Sequence, residues 1–394
     1  MPLNSLPLSG ILVLDLSRVL AGPLSAMSLG DLGADVIKVE HPVRGDDTRD
    51  WGVKIAPGET SYFNSFNRNK KSFPLDLSTD AGREAVKSLC DRADVVIENF
   101  KTGDMERFGL GYEVLSKRNP KLIYCAVSGY DRNGPEAARP GYDLVVQGEA
   151  GLMSINGEPD SKPLKFGIAA VDVLTGMYAA QGILAALVER GRTGKGRRID
   201  LALYDCGVML SSYYGLEAVL RDEDPVKFGN AHPSIVPYGV FEAADGPLVI
   251  TVGNTGQFEK LCEVLQIPSV GKDPRYATNM LRQQHRTELL DILRQSLKAM
   301  PRVAILEELK KVGIPCGEVL GLHSALTSER CRTAGLIEEK EHPTAGSVPV
   351  FRPPWRFDGE RLPVTRPPSL GEHAEEIAAR YLHANGSAAG GKND

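Results

Sequence analysis

No two of the six cysteines, at positions 90, 125, 206, 262, 316 and 331, form a C-x-x-C pair. Cys125 and Cys206 lie inside apolar runs, so the set reads as buried reduced thiols of a cytoplasmic protein, with no metal site. An excess of either charge is missing too. Lys and Arg number 46 against 51 Asp and Glu, a net charge of -5 and a pI near 5.9. That balance offers no global footprint for nucleic acid or an anionic membrane, so a phosphate-bearing ligand must be met by local basic groups. No basic segment precedes an apolar one at the N-terminus, and no apolar run of transmembrane length is free of polar interruptions. A soluble, cytoplasmic protein is expected.

The dinucleotide fingerprint is also absent. After the first apolar strand comes Ser17-Arg18-Val19-Leu20-Ala21-Gly22-Pro23, which lacks G-x-G-x-x-G and sets a proline where a pyrophosphate needs free N–H groups. Glu40, at the end of the second strand where a ribose-binding acid often sits, does not by itself rescue a nicotinamide site. Gly191-Arg-Thr-Gly194-Lys195-Gly196 follows a long helical run instead of joining strand to helix, so it reads as a glycine stop with basic residues at a helix end.

What is present is a chain of 394 residues, 42% hydrophobic and 25% charged, long enough for two cores or for one large core with an inserted lobe. Ile11 to Leu16 and Ala34 to Glu40 are short apolar strands on either side of a helical spacing from Pro23 to Gly33. Asp94 to Glu98 and Leu122 to Val127 repeat the pattern. Repeated βαβ units imply an α/β fold, a parallel sheet covered by helices on both faces. Polar loops at Gly45 to Gly52, Asn67 to Ser72 and Glu98 to Lys101 fall at strand ends, where open α/β sheets collect ligands.

Near residue 225 the grammar changes. Ser234 to Phe241 and Pro247 to Val252 flank Asp245-Gly246, a hairpin signal, and helices follow at Gln257 to Leu265, Arg286 to Ala299 and Val303 to Val312. Residues 225–325 therefore read as a smaller α+β domain. Residues 1–224 form the first part of a large domain, and a proline-rich segment, 326–394, returns to it with a short helix at Glu372 to Leu382. Ala384 to Asp394 reads as a disordered end.

The stretch that draws most attention is Lys165 to Arg190. After Asp172 it runs on Leu, Met, Ala and Ile with no charge until Glu189, apolar on every face, as a helix inside a large core reads. One carboxylate stands at the mouth of that helix. Asp172 is either its N-cap or a nucleophile that is acylated and released. Upstream, Arg139-Pro-Gly-Tyr142-Asp143 offers a second carboxylate, itself a possible cap for the next helix. Gly253-Asn254-Thr255-Gly256-Gln257 is either an ordinary glycine turn or a loop that closes over a pocket and excludes water.

With these residues in view, the chain resembles the class III CoA-transferases, the CaiB/BaiF type. The likeness rests on Leu14 to Pro23, Gly33 to Glu40, Gly45-Asp-Asp-Thr-Arg49, Asn69-Lys-Lys-Ser72, Glu98-Asn-Phe100, Gly141-Tyr-Asp143, Asp172 and Thr193 to Gly196. The resemblance implies an interlocked homodimer with a Rossmann-like large domain and a small domain between. It implies no tightly bound cofactor, with coenzyme A and a small carboxylic acid as substrates. Asp172 becomes the acyl-carrying nucleophile. Val19, Leu20, Ala21 and His41 match coenzyme A contacts, as do Leu75, Asp76, Leu77, Asn99 and Phe100. Lys101, Arg107, Tyr142 and Asp143 complete that set, and Gly253 to Gln257 matches the loop that covers the intermediate.

Departures narrow the reading. Racemases of this fold carry histidine where Tyr142 stands, leaving racemisation as the alternative. Formyl-CoA transferases carry glutamine at Leu20 and a longer glycine loop, which sets formyl or oxalyl transfer further off. Arg-Val-Leu-Ala-Gly-Pro, Asp-Asp-Thr-Arg, Asn-Arg-Asn-Lys-Lys-Ser and His232 to Tyr238 are similar to the succinate–hydroxymethylglutarate (glutarate) branch. That likeness implies a dicarboxylyl-CoA donor such as succinyl-CoA and a dicarboxylate acceptor, with Arg18 and Arg49 as alternatives for the distal carboxylate.

Overall fold

A computed structural model of the chain describes residues 6–382, so the expected disordered end lies outside them. Two compact units emerge. One holds residues up to Leu152, Lys165–Glu217 and the chain from Glu329; the other holds Met153–Leu164 and Ala218–Ser328. The second unit thus begins at Ala218 and not at 225. It also takes in an excursion, Met153–Leu164, that no change in sequence pattern marks.

The first unit is built on six strands: β1 (Leu12–Asp15), β2 (Asp35–Glu40), β3 (Lys70–Pro74), β4 (Val95–Glu98), β5 (Ile123–Ser128) and β6 (Arg198–Ala202). All pair in parallel, in the order 3-2-1-4-5-6. β1 and β4 are buried along their whole length, as near-continuous apolar strands covered on both faces must be. The order reverses between β1 and β4, and at such a switch point the carboxyl ends of the two strands leave a crevice. Ser17 to Leu20 and Asn99 to Thr102 are the loops at that crevice.

Helices cover the sheet for reasons legible in each sequence. Helix α2 (Asp80–Cys90) starts where the Thr79 hydroxyl accepts from Gly82 N–H, and it buries Val86, Leu89 and Cys90. Each such side chain contributes about 1.5–3 kcal/mol by leaving water. Helix α1 (Ala21–Asp31) is met by the long helix α4 (Ala170–Thr193), which reaches the layer after the short α3 (Asp143–Glu149). A Cβ on Gly176 would stand 2.7 Å from the carbonyl oxygen of Ala21, so only glycine permits that approach. Four residues earlier on the same face is Asp172. At its other end α4 stops at Gly194, whose φ of 70° is the left-handed stop the glycine pattern implied.

Two expectations for this region are corrected. α4 is long and apolar enough to cross a bilayer, contrary to the reading of its polar interruptions; its packing on α1, β5 and β6 makes it a helix of the globular layer. Nor is it buried all round. Val171, Thr175, Gly176, Ala179 and Ile183 pack inward, while Met177 and Val188 are 59% and 68% exposed. Apolarity drives a side chain out of water but does not specify which surface receives it. The apolar stretch after β6 forms two helices, α5 (Leu203–Leu210) and Ser212–Arg221. They break where Ser212 adopts φ 55°.

In the second unit, β7 (Tyr238–Ala243), β8 (Gly246–Thr251) and β9 (Cys316–Glu318) form an antiparallel sheet in the order 9-8-7. The hairpin loop is Ala244-Asp245, one residue ahead of the expected Asp-Gly step. Its core joins Leu248, Ile250, Phe258, Leu261, Leu289 and Leu293.

Candidate active site

The turn from β1 to α1 ends in a backbone anomaly. Val19 adopts φ 71°, a left-handed conformation that costs a β-branched residue roughly 1–3 kcal/mol and recurs at functional sites. Arg18, Val19, Leu20 and Ala21 line one side of a cavity of about 200 Å³. Asn99, Phe100 and Lys101, from the loop after β4, line another, and Tyr142 and Asp172 complete it. A second cavity, of about 340 Å³, gathers His41, Leu75, Asp76 and Leu77 with Arg44 and Glu40. Arg18, Asp47 and Phe100 line both. Segments far apart in sequence thus meet at the switch point.

Asp172 is not the N-cap of α4. It is the third helical residue; Ala169 occupies the cap position and makes no side-chain cap bond. The capping carboxylate comes from α3 instead: Asp143 Oδ1 accepts from the N–H groups of Val171 at 2.9 Å and Asp172 at 3.3 Å. Nor does Asp143 cap its own helix, where Tyr142 holds the cap position. Gln147, fully buried, donates to Asp143 Oδ2 at 2.6 Å and accepts from Phe166 N–H at 2.8 Å, fixing the carboxylate against the segment before α4. Gln147 was not singled out as functional in the sequence; the i, i+4 spacing from Asp143 is the signal it left.

With the cap supplied from elsewhere, the half-buried carboxyl of Asp172 has no hydrogen-bond partner among the described residues. Burial, and then the negative charge of Asp143, push its pKa up to about 7. A carboxylate that is unbonded, basic and faces a cavity is free to attack an electrophile. One consequence is measurable. Because the folded-state pKa lies above the unfolded one, the native protein holds a proton that the unfolded chain loses, so stability falls as pH rises from about 4 to 7. Asp172→Asn, which never ionises, is expected to gain on wild type by roughly 2 kcal/mol between pH 5 and 8 and no further above 8. Urea unfolding of both proteins across that range checks it; a difference independent of pH would contradict the raised pKa.

The remaining anticipated residues divide. Asn99 spends its amide on the turn, accepting from Arg18 N–H and donating to Arg18 C=O, both at 2.8 Å. His41 Nδ1 accepts from the N–H groups of Val43 and Arg44, so one face of the ring serves its own loop. Arg107 lines neither cavity; it is exposed and paired with Asp104 at 2.8 Å. Arg49 is corrected outright. Its guanidinium is buried, binds both oxygens of Glu40 at 2.8 Å, donates to the carbonyls of Gly58 and Pro368, and stacks 3.6 Å from the Phe63 ring. No edge of it is left for a substrate. Arg18 is half exposed, 3.6 Å from Asp47 and 5.4 Å over Phe100, at the junction of the cavities. The Gly253 to Gln257 loop belongs to the second unit. There Asn254 caps helix α6 (Thr255–Val264) by accepting from Gln257 N–H, and Gln257 Oε1 accepts from Gly253 N–H.

The profile of CoA-transferase family III matches residues 8–374. The chain belongs to that family. This CoA-transferase is 41% identical over 386 residues to the succinate–glutarate CoA-transferase of Agrobacterium fabrum, covering 96% of each chain. It is 38% identical over 388 residues to the human succinyl-CoA:glutarate CoA-transferase, covering 98% of this chain and 89% of the relative. Among solved structures, a CaiB/BaiF family protein from Brucella suis superposes with a TM-score of 0.85 at 41% identity, covering 95% of this chain and 99% of the other. The α/β fold with its six-stranded parallel sheet thus matches that of a CaiB/BaiF protein, and CoA thioesters are the substrates of CoA-transferases.

Proposed function

We propose that this CoA-transferase moves coenzyme A from succinyl-CoA, or a similar dicarboxylyl-CoA, to a free dicarboxylate through covalent chemistry on Asp172. The observation that carries the proposal is the unbonded carboxyl of Asp172 in the cavity, its helix capped by another residue. A carboxylate oxygen attacks the thioester carbon, the C–S bond breaks, and a mixed anhydride and the CoA thiolate result. The thiolate attacks the aspartyl carbonyl, releasing the donor acid and leaving an aspartyl-CoA thioester. The acceptor carboxylate attacks that thioester to form a second anhydride and free the thiolate, which takes the acceptor acyl group and restores Asp172. One thioester is made for each one broken, so catalysis is a matter of position and charge stabilisation.

Coenzyme A is assigned to the crevice, its thioester beside Asp172 and its nucleotide end toward His41 and Leu75. Arg18 is assigned to the distal carboxylate, since a guanidinium meets a carboxylate in a two-pronged fork. The exposed apolar side chains of Met177, Val188, Met209 and Leu216 support self-association as an interlocked homodimer. The buried thiols of Cys90, Cys125, Cys206 and Cys262 support a cytoplasmic setting.

The test incubates the protein, its solution mass first measured by sedimentation, with succinyl-CoA and a panel of labelled acids. Exchange confined to dicarboxylates supports the reading, and a monomer would refute self-association. Loss of α-deuterium from a branched acyl-CoA without any acceptor would make the protein a racemase instead.

A further inference from the structure

Beneath the β1–α1 turn lie charges for which the proposed chemistry has no use. The side chains of Asp15, Lys38, Asp46 and Lys70 are buried. Lys38 pairs with Asp46 at 2.9 Å, and Lys70 with Asp15 at 2.8 Å. A buried ion pair is weak evidence for stability, because apolar side chains of similar volume are often as stable. What distinguishes this set is where its remaining bonds end. Lys38 Nζ donates to Ser17 C=O at 2.9 Å, Asp15 accepts from Ser17 N–H at 3.0 Å, and Asp46 accepts from Val19 N–H at 3.3 Å. From the opposite side Asn99 brackets Arg18 by its N–H and C=O. The backbone from Ser17 to Val19 is therefore gripped around the residue with φ 71°.

We propose that Lys38, with Asp46, is a positioning residue for coenzyme A: the buried pair holds Val19 in a turn its branched side chain disfavours, fixing the wall of the cavity that Val19 and Asp172 both line. The proposal rests on the reading that this cavity takes acyl-CoA. Unstrapped, the turn relaxes and the wall formed by Val19 and Leu20 moves, which weakens binding of the thioester while the nucleophile on α4 is untouched. Glycine adopts left-handed φ as readily as right-handed. A chain carrying Val19→Gly therefore needs the strap less.

The experiment is a double-mutant cycle on the full chain, read as Kd for free CoA by calorimetry and as KM and kcat for succinyl-CoA. Lys38→Met is expected to raise Kd and KM about tenfold in the wild-type background and under about threefold in the Val19→Gly background, with kcat little changed in either. Equal effects in the two backgrounds, no change in Kd, or a fall confined to kcat would each overturn the positioning role. If Lys38→Met does not fold, Asn99→Ala removes the opposite grip with no buried charge, and the same comparison decides. A wild-type protein that does not bind CoA refutes the functional reading, a result distinct from all of these.

Discussion

Asp172→Ala is expected to lower CoA exchange by at least about 10⁴-fold, the scale seen when a covalent nucleophile is removed. Among the described residues, the only other carboxylate lining the cavity with it is Asp47, which sits 3.6 Å from the Arg18 guanidinium. An ion-paired oxygen is a poor substitute for an unbonded one. Because Asp172 makes no side-chain hydrogen bond among the described residues, its loss should leave the fold intact, and CoA binding should persist. Mass spectrometry of protein quenched with hydroxylamine during turnover completes the test. The wild type should carry a hydroxamate on the peptide containing Asp172, and the variant none. An adduct on another peptide, or full exchange by the variant, would end the proposal.

Arg49→Ala carries the largest expected cost in stability, about 3–5 kcal/mol, because it leaves Glu40 buried without its partner. Glu40 also accepts from Ser72 Oγ and Asp46 N–H, so the loss reaches the edge of the sheet. Arg18→Ala is the contrasting variant. Its exposed pair with Asp47 contributes less than about 1 kcal/mol. It should instead raise KM for dicarboxylate acceptors by about tenfold or more and spare monocarboxylates. Unfolding curves and acceptor profiles of the two variants separate a structural arginine from a substrate-binding one. Equal acceptor preference in Arg18→Ala and wild type would remove Arg18 from that role.

Local pattern carried a good deal of this protein. Apolar strands spaced by helices specify a parallel α/β sheet, since strands buried on both faces have no other economical sequence. The same pattern places Ser17 to Leu20 and Asn99 to Lys101 at strand ends, and a carboxylate beginning an apolar helix marks Asp172 as either cap or nucleophile. The hairpin of the second unit followed from its turn chemistry to within one residue.

Setting Asp172 apart from the cap required the fold, because Asp143, at a different point of the chain, takes the backbone groups of α4 for itself. Arg18 and Arg49 are alike as sequence; burial against Glu40 and Phe63 separates them. The open apolar face of α4 and the strap beneath Val19 are equally invisible in composition. Periodicity records what each residue prefers, apolar or polar, extended or helical, and those preferences are local. Which partner satisfies a charge or a free N–H is set by distances closed only on folding, and there the tertiary structure alone decides.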